Sequence, residues 1–137
     1  MIAISAKVRY GVAVVLTIAT APTNTLYQIK ALSEKCKIPK AFLEQVLIKL
    51  KKDGILKSVR GAKGGYLLAK KAEEITVLEI WQALEGREPL ETGYSGAPIL
   101  KQFWKGLQET INGYSTHTIG QLIRDKQKQE KMVSYSI

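Results

Sequence analysis

Apolar residues recur at helical spacing along most of this chain, and one short stretch breaks the rhythm. Val8, Val12, Val15, Leu16 and Ala19 mark one face of a first helix over residues 6–20, with Ser5 placed to cap it. Pro22 ends that helix within a turn over 21–24. Ile29 and Leu32 point inward from a short helix reaching about Cys36, and Ile38 follows beyond a tight turn. Pro39 suits the first turn of the next helix, where its missing N–H would have had no partner. That helix runs to about Asp53. It buries Phe42, Leu43, Val46, Leu47 and Leu50, and leaves Lys40, Ala41, Glu44, Gln45, Lys49 and Lys52 largely outside. Gly54 supplies a left-handed stop.

The period then changes. Residues 55–60 alternate as a strand, with Ile55, Lys57 and Val59 on one side. Gly61, Ala62, Lys63, Gly64 and Gly65 form a turn, and Tyr66–Leu68 return as the second strand of a hairpin. Thr76 and Glu79 make a capping box for a helix to about Leu84, closed by Gly86. Val77, Ile80, Trp81 and Leu84 are its buried stripe, so Trp81 reads as core. Residues 87–97 show no periodicity. Residues 98–115 form a longer amphipathic helix whose apolar face holds Ile99, Leu100, Phe103, Trp104, Leu107 and Ile111, more than one small domain needs. A face of that kind pairs with a second copy of itself. Thr118 caps a last helix to about Gln129, with a basic, glutamine-rich tail expected to fray.

The predicted fold class is therefore mainly α with a small β-hairpin wing. A winged helix-turn-helix domain covers 1–86, a loop 87–97, and a dimerisation helix with a short C-terminal helix and tail 98–137.

Charge sharpens this picture. The 137 residues carry a formal charge of +9. Between Lys30 and Lys71 stand twelve Lys or Arg against three acids, so the whole excess lies in the helix-turn-helix and hairpin. A surface kept merely soluble mixes its signs, whereas a concentrated basic patch points to a polyanion. In the major groove the N-terminal side chains of the second motif helix come nearest the bases. Gln45 can pair with adenine, Glu44 can accept from cytosine and Lys40 can approach guanine, with Ala41 beside them. Glu44 is either a reader, a selector against wrong sites, or half of a helix-surface salt bridge, for example with Lys40 or an i+4 partner. Lys49, Lys51, Lys52 and Lys57 read as phosphate anchors, and Arg60 and Lys63 as wing contacts to backbone or minor groove. Lys7 and Arg9 oppose the dipole of the first helix, which leaves either phosphate or water as their partner.

Other chemistries are poorly served. The glycine-rich loop joins two strands, whereas a nucleotide fingerprint needs strand, glycines and then helix. One histidine, one cysteine and no convergent carboxylate pair argue against an enzyme, and His117 has no second histidine for a metal. Cys36 lies between Lys35 and Lys37, which leaves a redox thiolate or a buried thiol. A single cysteine, no apolar run of membrane length and no signal peptide lead to the expectation of a cytoplasmic protein.

Three segments carry a family resemblance: ISAKVRYGV, KAFLEQVLIKLKKDGILKSVRGAKGGYLLAK and EEITVLEIWQALEG. From Ile4 to Gly86 they resemble, in register, the Rrf-two family of bacterial transcriptional repressors, which includes the iron–sulfur regulator IscR, the nitric-oxide sensor NsrR and the cysteine-metabolism repressor CymR. The resemblance implies a homodimer joined through residues 98–115 and bound to double-stranded DNA at a palindromic operator. It also implies Glu44 and Gln45 on the recognition helix and Arg60, with Gly61 and Gly64 beside it, on a wing entering the minor groove.

Two departures stand out. The wing reads GAKGGY where relatives commonly carry a proline and a further glycine. Cluster-binding relatives have three cysteines in the loop corresponding to 87–97, where this chain has none. The expectation is thus a cluster-free member resembling CymR, without cofactor or metal. Its control would come from a metabolite near Trp81, Tyr94 and Trp104 or from a regulatory protein at the same place.

Overall fold

The computed structural model describes residues 4–87 and 96–136. Helix α1 spans Ala6–Ala19, and Ser5 caps it by accepting the Val8 N–H on Oγ at 3.4 Å. Elements pack around α1 on several sides, so a single stripe does not describe its burial. Val8, Val14, Val15 and Ile18 are fully buried, while the expected Val12, Leu16 and Ala19 are only half-buried. Gly11 is what lets α4 (Val77–Glu85) close on α1. A Cβ there would collide with Leu84 Cδ1 and sit 3.2 Å from Ile80 Cγ2.

Helix α2 covers Ile29–Cys36 and ends at Lys37, whose φ of 56° turns the chain left-handed. The Ile38 N–H returns to the Ser33 carbonyl at 3.1 Å, and Ser33 Oγ donates to the Ile38 carbonyl at 2.6 Å. These bonds satisfy the open end of α2 and set its angle to α3. Helix α3 covers Lys40–Lys52. Pro39 stands one residue ahead of its expected place, with its carbonyl accepting the Leu43 N–H at 2.9 Å. Leu43, Val46, Leu47 and Leu50 are buried, and Phe42 is half-buried edge-on to Tyr10 at 5.3 Å between centroids. Gly54, at φ 76°, reverses the chain.

Strands β1 (Leu56–Val59) and β2 (Gly65–Leu68) form an antiparallel hairpin, with Leu56 opposite Leu68 and Val59 opposite Gly65. Lys57 and Val59 share the outer face as expected, whereas Leu56 is the strand residue driven into the core. Ile55 is also buried, but it precedes the strand and belongs to the C-terminal lock of α3 through its N–H to the Leu50 carbonyl at 3.0 Å.

Thr76 Oγ1 accepts the Glu79 N–H at 3.0 Å to open α4. Ile80 and Leu84 are buried there, and Trp81 is half-buried with its ring N–H donated to Glu85 at 2.9 Å. Helix α5 runs over Pro98–Tyr114 and has no buried residue. Helix α6 runs over Ile119–Ser136, well past the expected frayed end near Gln129. Its sequence after Gly120 holds no glycine or proline and is rich in straight-chain helix formers, with Lys126 and Glu130 paired at 3.8 Å one turn apart. The root of α6 joins the main core. Ile119 is fully buried, its N–H bonds the Ile75 carbonyl at 2.8 Å, and Thr118 pairs with Thr76.

Candidate nucleic-acid interface

The start of α3 and the hairpin border an open groove of about 470 Å³. Lys30, Lys40 and Glu44 line it from the helices, and Arg60, Gly61 and Gly64 from the wing. Residues from α2, α3 and the hairpin are thereby brought to one surface. Ala41, Gln45, Lys51, Lys52 and Lys63 are exposed but do not line the groove. Lys40 and Glu44 do not form the salt bridge that one turn of helix would allow, and among the described residues Glu44 has no ion pair. Its carboxylate is free to meet a ligand.

The wing is held to the body by contacts that local patterning does not announce. Tyr27 and Tyr66 exchange backbone hydrogen bonds of 3.1 and 2.8 Å, adding an isolated rung beside the hairpin. Gln28 Nε2 donates to the Ala62 carbonyl at 2.8 Å, which ties the hairpin tip to the start of α2. Glycine is required where the chain passes closest. A Cβ on Gly64 would strike the Val59 carbonyl oxygen, and one on Gly65 would sit 2.6 Å from that of Tyr27. Gly61, at φ 113°, accepts the Gly64 N–H at 2.9 Å and makes the tip. Gly64 is buried, so its part is to shape the wing, while Gly61 is exposed.

Not every expected anchor reaches this surface. Lys49 is half-buried and donates through Nζ to the Leu84 carbonyl at 3.2 Å. It thus completes the C-terminal end of α4, where free carbonyls attract a cation. Lys7 shares a separate depression with Lys49, Phe42 and Leu84, and Arg9 is exposed on α1. Neither lines the groove.

Cys36 is half-buried, with Sγ 3.4 Å from Thr17 Oγ1. Lys35 turns its ammonium to the Tyr27 hydroxyl at 3.2 Å. On α5, Ile99 (68 % exposed), Phe103 (58 %) and Trp104 (39 %) present apolar surface, with Leu107 and Ile111 half-buried on the same helix. Tyr94, expected beside Trp81 and Trp104, lies outside the described residues.

The family profile described as "Rrf2: Iron-dependent Transcriptional regulator" matches residues 4–125. The chain belongs to the Rrf2 family. Within the family it is 31 % identical to the HTH-type transcriptional regulator IscR of Photorhabdus laumondii, over 90 % of this chain and 80 % of that one. It is 29 % identical to the HTH-type transcriptional regulator CymR of Bacillus subtilis, over 79 % of each. The solved structure of CymR, the global cysteine regulator of B. subtilis, superposes with a TM-score of 0.79 at 28 % identity, over 89 % of this chain and 96 % of that one. The Rrf2 fold is thus the winged helix-turn-helix seen here. The chain is a DNA-binding transcriptional regulator and not an enzyme. Among the described residues no helix is long and apolar enough to cross a membrane.

Proposed function

We propose that this regulator acts in the cytoplasm as a homodimer on a palindromic operator and represses transcription by covering promoter DNA. In this reading α3 enters the major groove. Lys40, Ala41, Glu44 and Gln45 face the bases, while Arg60, Gly61 and Lys63 carry the wing along the neighbouring minor groove or backbone. Lys51, Lys52, Lys7 and Arg9 bind phosphate and position the protein without specifying sequence. The observation that carries this reading is the groove itself, where an unpaired Glu44 and Lys40 stand opposite Arg60. The exposed apolar face of α5 supports pairing through Ile99, Phe103, Trp104, Leu107 and Ile111. Half-sites should lie one helical turn of DNA, or a multiple of it, apart.

Iron is not the expected signal. A protein-held cluster draws its ligands chiefly from cysteine thiolates, and the chain has one cysteine, set beside Thr17. Among the described residues no three His, Cys, Asp or Glu are grouped to hold a metal. The donors present do not fit a cluster. We therefore read this as a cluster-free regulator controlled by a metabolite or a partner protein that alters the spacing of its two recognition helices.

The test is selection of genomic fragments by the purified full-length chain at moderate salt, followed by sequencing. Enrichment of a two-fold symmetric site upstream of genes is expected. Uniform retention of all fragments would overturn sequence-specific regulation in favour of a module that binds without reading.

A further inference from the structure

Ile48 is 64 % exposed on the outward face of α3. It follows Glu44 by four residues and Gln45 by three, so its side chain adjoins both. The rest of that exposed face is Lys40, Ala41, Glu44, Gln45, Lys51 and Lys52. A branched aliphatic side chain among lysines, one carboxylate and one amide gains nothing for the fold here. Helix α3 already buries Leu43, Val46, Leu47 and Leu50 on its other side. Its charged surroundings fit a polyanion better than a hydrocarbon partner, and the broad apolar face available for pairing lies on α5. Within a DNA major groove the apolar feature on the base edges is the C5-methyl group of thymine.

We propose that Ile48 is a specificity residue that packs against the methyl group of one thymine in each half-site. The assignment rests on α3 lying in the major groove. Four residues of helix advance about 6 Å. That places the thymine within about two base-pair steps of the pair faced by Glu44, each step being roughly 3.4 Å.

Deoxyuridine deletes that methyl group and leaves every hydrogen-bonding group in place. Each thymine of the selected operator is replaced in turn, and binding is measured for the wild type and for Ile48→Ala, both full-length. The wild type should lose about fourfold in affinity at one position per half-site, the worth of one buried methyl-sized group. Ile48→Ala should be indifferent at that position and respond as the wild type elsewhere, a coupling that general weakening cannot imitate. An unchanged denaturation midpoint would confirm that the exposed substitution leaves the fold alone. Equal responses of both proteins at every thymine would overturn the proposal. So would a change in oligomeric state on Ile48→Ala with no coupling to any methyl group. A wild type without a preferred sequence would overturn the major-groove reading itself, and this proposal with it.

Discussion

The Gly65 Cα and the Tyr27 carbonyl approach so closely that a Cβ on residue 65 would lie 2.6 Å from the Tyr27 oxygen. This contact joins the wing to the strand-like lead into α2, next to the paired hydrogen bonds between Tyr27 and Tyr66. The wing is therefore positioned by the body of the domain, which fixes Arg60 relative to α3.

Gly65→Ala should weaken both fold and function. Its φ of 152° and the Tyr27 carbonyl together oppose a side chain. Chemical denaturation should show a loss of about 1–3 kcal/mol, the usual cost of a strained backbone position. Operator affinity should fall with it. Gln28→Ala removes only the bond to Ala62, so it should leave the denaturation midpoint nearly unchanged while weakening operator binding severalfold. Equal stability and equal affinity for both variants would show that the wing needs no such anchoring.

Lys49 and Lys52 are both basic and close in sequence, but the structure separates them. Lys49→Met removes the donor to Leu84 and should lower stability by about 1 kcal/mol with no change in the salt dependence of DNA binding. Lys52→Ala, at an exposed site, should leave stability within about 0.5 kcal/mol. It should reduce the slope of log affinity against log salt by about one. Titrations at several salt concentrations read both effects, and the opposite assignment would appear as a slope change for Lys49→Met.

These two lysines mark the limit of what was legible in the chain. Caps and stops were readable because their signals are local. Ser5 and Thr76 cap their helices, and Gly54 turns left-handed where a helix must end. Apolar spacing placed all the major elements, and the dense charge includes Lys30, Lys40 and Arg60, which the fold brings to one groove. What could not be read were the contacts between distant residues. The partner of Lys49 is 35 residues away and that of Gln28 is 34, and no periodicity announces either. Spacing marks a single stripe on helix α1, whereas the fold packs elements against it on several sides. Helix α6 runs past its expected end because the absence of breakers and the run of helix formers outweigh the polarity of its sequence.

Glu44→Gln should relax recognition at one base pair per half-site. A carboxylate accepts from cytosine and repels groups that an amide tolerates, so discrimination at that pair should shrink by about 1–3 kcal/mol. Competition among operators changed at single positions reads the effect. Uniform weakening across all positions would make Glu44 structural.

Phe103→Glu should disturb pairing while sparing the winged domain. The residue is 58 % exposed on α5, so its replacement should leave the helical content of the folded domain unchanged, while the melting temperature loses its dependence on protein concentration. Sedimentation should shift from dimer to monomer, and affinity for a two-half-site operator should drop towards that for a single half-site. An unchanged sedimentation coefficient in both proteins would locate the dimer contact elsewhere.

The decisive quantity is a ratio: the affinity of the full-length protein for its selected operator over that for a shuffled sequence of the same length, at one fixed salt concentration. Sequence reading by the groove between α3 and the wing predicts a ratio of at least about 10³, as specific DNA-binding proteins show. That ratio should collapse when Glu44 and Gln45 are both replaced by alanine. A wild-type ratio near one, with affinity still falling steeply as salt rises, would mean that the basic surface binds DNA without reading it.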